Sequence, residues 1–73
     1  MSVRKVDHIN PDGVTIIIDW SLLLPGMSVF VPCLNFERGK KQITDITERQ
    51  RITTDIKITT HEGALGLRVW RII

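Results

Sequence analysis

Few residues in this chain are equipped for covalent chemistry. A single cysteine, Cys33, and two histidines, His8 and His61, are the candidates for a nucleophile or a metal site. A reactive thiolate needs a base or a cation beside it, and nothing in the spacing of these three residues supplies one. A lone cysteine just after a strand is instead expected to be a small buried hydrophobe. His8 and His61 lie near turns and are expected in solvent, without metal-ligand spacing. The serines lack the strained Gly-x-Ser-x-Gly setting of an activated hydroxyl. The acids are scattered rather than paired for proton transfer. Gly63-Ala64-Leu65-Gly66 lacks the lysine and following Ser/Thr of a phosphate-binding loop. The expectation is a non-enzymatic protein without metal or cofactor.

Cationic, aromatic and leucine-rich stretches carry more information. Arg38, Lys40, Lys41, Arg49 and Arg51 share one stretch with Asp45 and Glu48; five bases against two acids leave a surplus of three, above the +2 of the whole chain. Such a face can track phosphates. It also reads as an ordinary solvated helix face with i,i+4 pairs, Lys41 with Asp45 and Asp45 with Arg49. In the C-terminal stretch Leu67-Arg68-Val69-Trp70-Arg71-Ile72-Ile73, alternation sets Arg68, Trp70 and Ile72 opposite Leu67, Val69 and Arg71. A guanidinium beside an indole, with Lys57 across a hairpin, suits nucleic acid or an acidic protein. The plainer expectation puts Trp70 in the core with Arg68 and Arg71 snorkelling from its edges. Trp20 is expected in the core as well. Leu22, Leu23 and Leu24 are adjacent and cannot all point inward, so exposed members would make a protein interface.

The elements that must position these residues follow from pattern. Residues 3–9 form a weak strand, and Asn10-Pro11-Asp12-Gly13 is a strong turn, with Pro pre-setting φ and Gly accepting positive φ. Val14-Thr15-Ile16-Ile17-Ile18-Asp19-Trp20 is β-branched and reads as a strand pairing back on 3–9. Ser21 to Leu24 makes a short irregular turn that Pro25-Gly26 stops. Met27 to Pro32 alternates as a strand, with Pro32 at its end or at a sheet edge. The helix is expected over 36–51, with Asn35 as N-cap, Glu37 in the first turn and Arg51 at the C-terminal end. Its apolar stripe is Phe36, Ile43 and Ile46, with Gly39 and Gln50 alongside. Gly39 marks either a later helix start near Lys40 or a close approach to the sheet.

After the helix, residues 52–60 alternate, with Ile52, Thr54, Ile56, Ile58 and Thr60 on one face. Residues 61–66 form a turn and 67–73 the closing strand. The order β-β-β-α-β-β predicts one α+β domain over 1–73, an antiparallel sheet of four or five strands with one helix packed on a face.

Composition bounds the rest. Seventy-three residues, 42% of them hydrophobic and 25% charged, are ordinary for a folded chain, though a domain this small buries only about 60% of its unfolded surface. One cysteine permits no internal disulfide, which fits a reducing compartment. No apolar run approaches the length of a membrane span, and Asp7 and His8 interrupt what would be a signal segment. The expectation is a full-length cytoplasmic protein that does not meet a membrane. The small core and the surplus of isoleucine permit a homodimer.

Pro25-Gly26-Met27-Ser28-Val29-Phe30-Val31-Pro32, a basic helix, and Gly66-Leu67-Arg68-Val69-Trp70-Arg71-Ile72 together resemble a group of short bacteriophage proteins, over about residues 19–73. That resemblance implies a phage origin and an accessory role in the host cell cytoplasm. More loosely, Arg- and Trp-bearing strands on one helix are similar to AP2-type and integrase arm-binding domains, although those place the helix after three strands. The leading expectation is a phage regulator of transcription that binds DNA or RNA through Arg38, Lys40, Lys41, Arg49, Lys57, Arg68 and Arg71. One alternative is a protein-binding modulator of a host enzyme such as RNA polymerase, engaging Leu22, Leu23, Leu24 and Trp70. Another is a structural or oligomer-forming protein.

Overall fold

The structure, a computed structural model, describes residues 6–73, so the first residues of the expected strand 3–9 lie outside the described residues. Five strands and one helix follow in the expected order: β1 (Val6–Ile9), β2 (Ile16–Asp19), β3 (Ser28–Pro32), α1 (Phe36–Arg49), β4 (Thr54–His61) and β5 (Ala64–Arg71). The strands form two antiparallel sheets rather than one, β1-β2 and β3-β5-β4. The break falls between β2 and β3. There a 3₁₀ turn, Trp20–Leu22, and the Pro25-Gly26 corner carry the chain from one sheet to the other. Asp19 caps that turn, its carboxylate accepting from the Ser21 N–H.

Each hairpin closes on its turn residues. In the first, the Gly13 N–H donates to the Asn10 carbonyl at 3.1 Å and β1 pairs with β2 from Ile9↔Ile16 to Val6↔Asp19. The second turns on two residues, Glu62 and Gly63, with φ of 51° and 80°. Two positive φ angles in a two-residue loop match the right-handed strand twist, so the turn is tighter than the expected 61–66. Ala64, Leu65 and Gly66 belong to β5, paired as His61↔Ala64, Thr60↔Leu65 and Thr59↔Gly66.

The helix is capped as expected, the Asn35 side chain accepting from the Arg38 N–H at 3.1 Å. It ends at Arg49, two residues early, because Arg51 takes φ 58°, the left-handed position that closes a helix. One face of α1 buries Gly39, Ile43, Ile46 and Thr47. These pack on Val31, Leu67 and Val69 of the three-stranded sheet, with Trp20, Leu23, Ile9 and Cys33 completing the core. Trp20 is wholly buried. The alternating face of β4 is less covered than its pattern predicts. Ile52 is buried and Ile56 half-buried, but Ile58 is 59% exposed. Beside Ile58 the helix offers only its first turn, Phe36, Glu37 and Lys40.

Gly39 marks a close approach, not a late helix start. A Cβ there would lie 3.1 Å from Leu67 Cδ1, 3.2 Å from Cys33 Sγ and 3.4 Å from Pro11 Cβ. Pro11 is itself fully buried. Three polar ties hold the hairpin beside the helix: Asp12 Oδ1 accepts the Asn35 N–H at 2.8 Å and Oδ2 the Leu34 N–H at 2.9 Å. Asn10 and Gln42 exchange two hydrogen bonds of 2.9 and 3.0 Å, and Arg49 meets Asp7 at 3.3 Å. Overfilling such a contact forces side chains and backbone apart. Gly39→Val is expected to cost about 1–3 kcal/mol of stability. Thermal unfolding followed by circular dichroism checks this, with the exposed Lys41→Ala as a control that moves the midpoint little.

Candidate functional site

The seven cationic residues expected to bind nucleic acid do not share one surface. Leu67 and Val69 face the helix and are buried, so Arg68 and Trp70, one residue out of phase, stand on the opposite face of the sheet. Cross-strand pairing puts Phe30 and Lys57 in line with Arg68, and Ser28 and Asp55 in line with Trp70. Arg38, Lys40, Lys41 and Arg49 belong to α1, on the other side of that sheet. A single ligand contacting both groups would have to wrap the domain.

Several of these cations are already engaged. Arg68 donates from Nη1 to Ser28 Oγ at 3.1 Å, shares a 3.2 Å contact between Nη2 and His61 Nδ1, and lies 5.6 Å from the centroid of the Phe30 ring. A guanidinium can only donate, so in a hydrogen bond with Arg68 the His61 Nδ1 is the acceptor. Phe30 reaches His61, ring centroids 5.3 Å apart, by lying over Gly66. A Cβ on Gly66 would meet Phe30 Cζ at 2.8 Å and collide with the Val31 carbonyl. Arg71 is half-buried and structural: Nη1 donates to the Leu23 carbonyl at 2.8 Å and Nε to the Ile73 carbonyl at 3.0 Å. Arg49 pairs with Asp7 rather than with the Asp45 carboxylate of the expected helix pair, while its Nε donates to the Asp45 main-chain carbonyl at 3.4 Å. Lys57 lies 3.8 Å from Asp55. Arg38, Lys40 and Lys41 are exposed on the first turns of the helix.

Trp70, expected in the core, is half-buried on the outer sheet face. No helix packs there, because α1 contacts β4 and β5 through their Ile56, Leu67 and Val69 side. The outer face therefore presents Phe30, Arg68 and Trp70 half-buried, with Lys57 and His61 exposed around them.

The leucines divide as geometry requires. Leu23 is buried, while Leu22 and Leu24 are 70% and 55% exposed. Leu22 stands at the closed end of a groove of about 420 Å³ lined by Ile16 to Asp19 of β2 on one side and Met27 to Phe30 on the other. Ile17 and Met27, 72% and 48% exposed, enlarge its rim. Neither was singled out from sequence. The signal was present in Ile16-Ile17-Ile18: with strand alternation, three consecutive isoleucines cannot all be buried on one face. What sequence does not show is that Met27 and Phe30 face them across a gap.

Catalytic or metal chemistry gains no geometry. Cys33 is buried, and its thiol is pushed above its ordinary range, first by burial and second by the Asp12 carboxylate. Among the described residues no cluster of His, Cys, Asp and Glu could hold a metal ion, and no helix is long and apolar enough to cross a membrane. No protein-family model, curated protein or solved structure matches the chain.

The Cys33 thiol sets a pH dependence. Folding favours its protonated form, so its stabilising contribution is complete below the pKa of the unfolded thiol. That contribution is lost as alkaline pH rises through the folded value. At pH 8 Ellman's reagent is expected to modify Cys33 slowly in the folded chain and rapidly in denaturant. Equal rates in the two states would contradict the burial.

Proposed function

We propose that this chain is a small, non-catalytic protein-binding module whose contact surface is the apolar groove between β2 and β3 and the leucine turn that closes it. The observation carrying this reading is the grouping of Ile17, Leu22 and Met27, all largely exposed, around that one groove. Folded monomers seldom leave a contiguous apolar patch uncovered without a use for it. Leu24, two residues after Leu22, is also exposed. With the resemblance to short bacteriophage proteins, this reading makes the partner a host protein in the infected cell, an enzyme such as RNA polymerase being the expected kind, and the chain its modulator.

The groove variant tests it. Ile17 and Leu22 are exposed, so Ile17→Lys with Leu22→Glu leaves the core intact. The tagged chain should retain one bacterial protein from a nuclease-treated lysate, and the double variant should lose it. Retention that needs nucleic acid, or that survives the double substitution, excludes the groove as the contact surface.

One observation favours a second reading, nucleic-acid binding by the uncovered sheet face. Phe30, Trp70 and His61 offer ring surfaces beside Arg68 and Lys57, and stacking on aromatic rings with nearby cations is how open sheets hold single strands. Arg38, Lys40, Lys41 and Arg49 would not belong to this contact. Trp20 is fully buried, so a change in tryptophan emission on adding an oligonucleotide reports Trp70. Quenching at low salt that salt reverses and Lys57→Glu weakens is the expected result; unchanged emission at low salt removes this reading.

A further inference from the structure

The walls of the groove are strand edges, not strand faces. Ile16, Ile17, Ile18 and Asp19 line one side and Met27, Ser28, Val29 and Phe30 the other, consecutive residues in both cases. A groove on a sheet face would be lined by alternate residues. β2 is paired with β1 alone and β3 with β5 alone, so each has one open edge. The phase of the β3–β5 ladder is set by two bonds at its ends. The Cys33 N–H donates to the Leu65 carbonyl at 3.3 Å, and the Arg71 N–H to the Met27 carbonyl at 2.9 Å. Odd-numbered residues of β3 therefore bond to β5. Ser28 and Phe30 turn their N–H and C=O groups toward the groove, and Pro32 ends the open edge because it has no N–H.

Two facing rows of main-chain donors and acceptors call for a polypeptide, because no other ligand carries both at strand spacing. The charge of the site agrees. Asp19 is the one charged residue in the lining, and its Oδ1 accepts from Ser21 N and Oγ. No cation is among the lining residues to receive phosphates, and Arg68, which touches Ser28 and Phe30, is held on the outer sheet face. We infer that the groove binds an extended segment of a partner protein by strand addition to β2 and β3 together, giving the order β1-β2-partner-β3-β5-β4. The segment alternates apolar residues. It is neutral or basic, with a cationic residue favoured at the Asp19 end. It comes from a loop or terminus, since it must be free on both edges. Among the described residues every strand is paired along at least one edge, so none of these strands from a second copy fits. This rests on the protein-binding reading above and specifies its mode.

The test uses the full chain and displayed random dodecapeptides. Panning should enrich sequences with alternating apolar residues and few acids. A synthetic enriched peptide should slow hydrogen exchange at the Ser28 and Phe30 amides. Ile17→Lys should weaken it. N-methylating the peptide at alternate backbone positions keeps its side chains but removes edge hydrogen bonds. Each register faces one of the two edges, so methylation in either register should weaken binding by about tenfold or more. Full affinity in either register overturns addition to both edges, and full affinity in both overturns strand addition altogether, while leaving the groove as a protein-binding surface. No enrichment, or a peptide indifferent to Ile17→Lys, overturns the inference. So does displacement of the peptide by an oligonucleotide, which would assign the groove to nucleic acid. The nuclease-treated capture above reads the broader proposal independently, because it depends on a partner and not on backbone bonds.

Discussion

The fold depends on the absence of a side chain at Gly39. There the first turns of the helix come close enough to the sheet for Pro11, Cys33 and Leu67 to meet over one glycine. The contact joins the hairpin turn, the end of β3, the helix and β5 at a single point. A core as small as this one cannot afford a gap, since packing losses are felt at the scale of a methylene. The polar ties around the contact then fix direction. Asp12 binds the main chain just before the helix, Asn10 binds Gln42, and Asp7 binds Arg49, so the hairpin lies along the helix through β1.

That docking has a consequence at the other edge of the hairpin. With β1 against the helix, β2 is turned outward, and the 3₁₀ turn and Pro25-Gly26 corner bring β3 back on its far side without pairing the two. Open strand edges invite pairing with other chains, and small proteins commonly blunt them with charge, proline or a covering element. Here Pro32 blunts one end and Asp19 the other, while the stretch between is left apolar. The fold thus concentrates its unprotected main chain in one bounded place.

The same economy governs the cations. Arg71 ties the leucine turn to the end of β5, Arg68 is gathered into Ser28, Phe30 and His61, and Arg49 anchors the hairpin. A guanidinium suits this because its planar fork reaches several oxygens at once. Basic residues that look like a ligand surface when counted along the chain are, in the fold, partly fasteners. They are also divided between the helix and the far face of the sheet.

Much of the fold was legible because its signals are local. β-branched runs, the Asn-Pro-Asp-Gly turn, the Asn35 cap and the alternation of 52–60 each act over a few residues, and each produced the element expected of it. Burial of Trp20 and Cys33 followed from residue type. The groove was not legible. Strand alternation says that one of three isoleucines must face out, but not that its edge will stand opposite Ser28 and Phe30. Nor does pattern reveal that Asp12 reaches Leu34 and Asn35, that Arg71 reaches Leu23, or that Trp70 stands on a face with no helix above it. The sequence by itself determined the elements, their order and the α+β class, because propensity, capping and turn chemistry are written in neighbouring residues. Only the tertiary structure decided that the strands split into two sheets, which face each arginine serves and where main chain is left unpaired, because those depend on contacts between residues far apart in the chain.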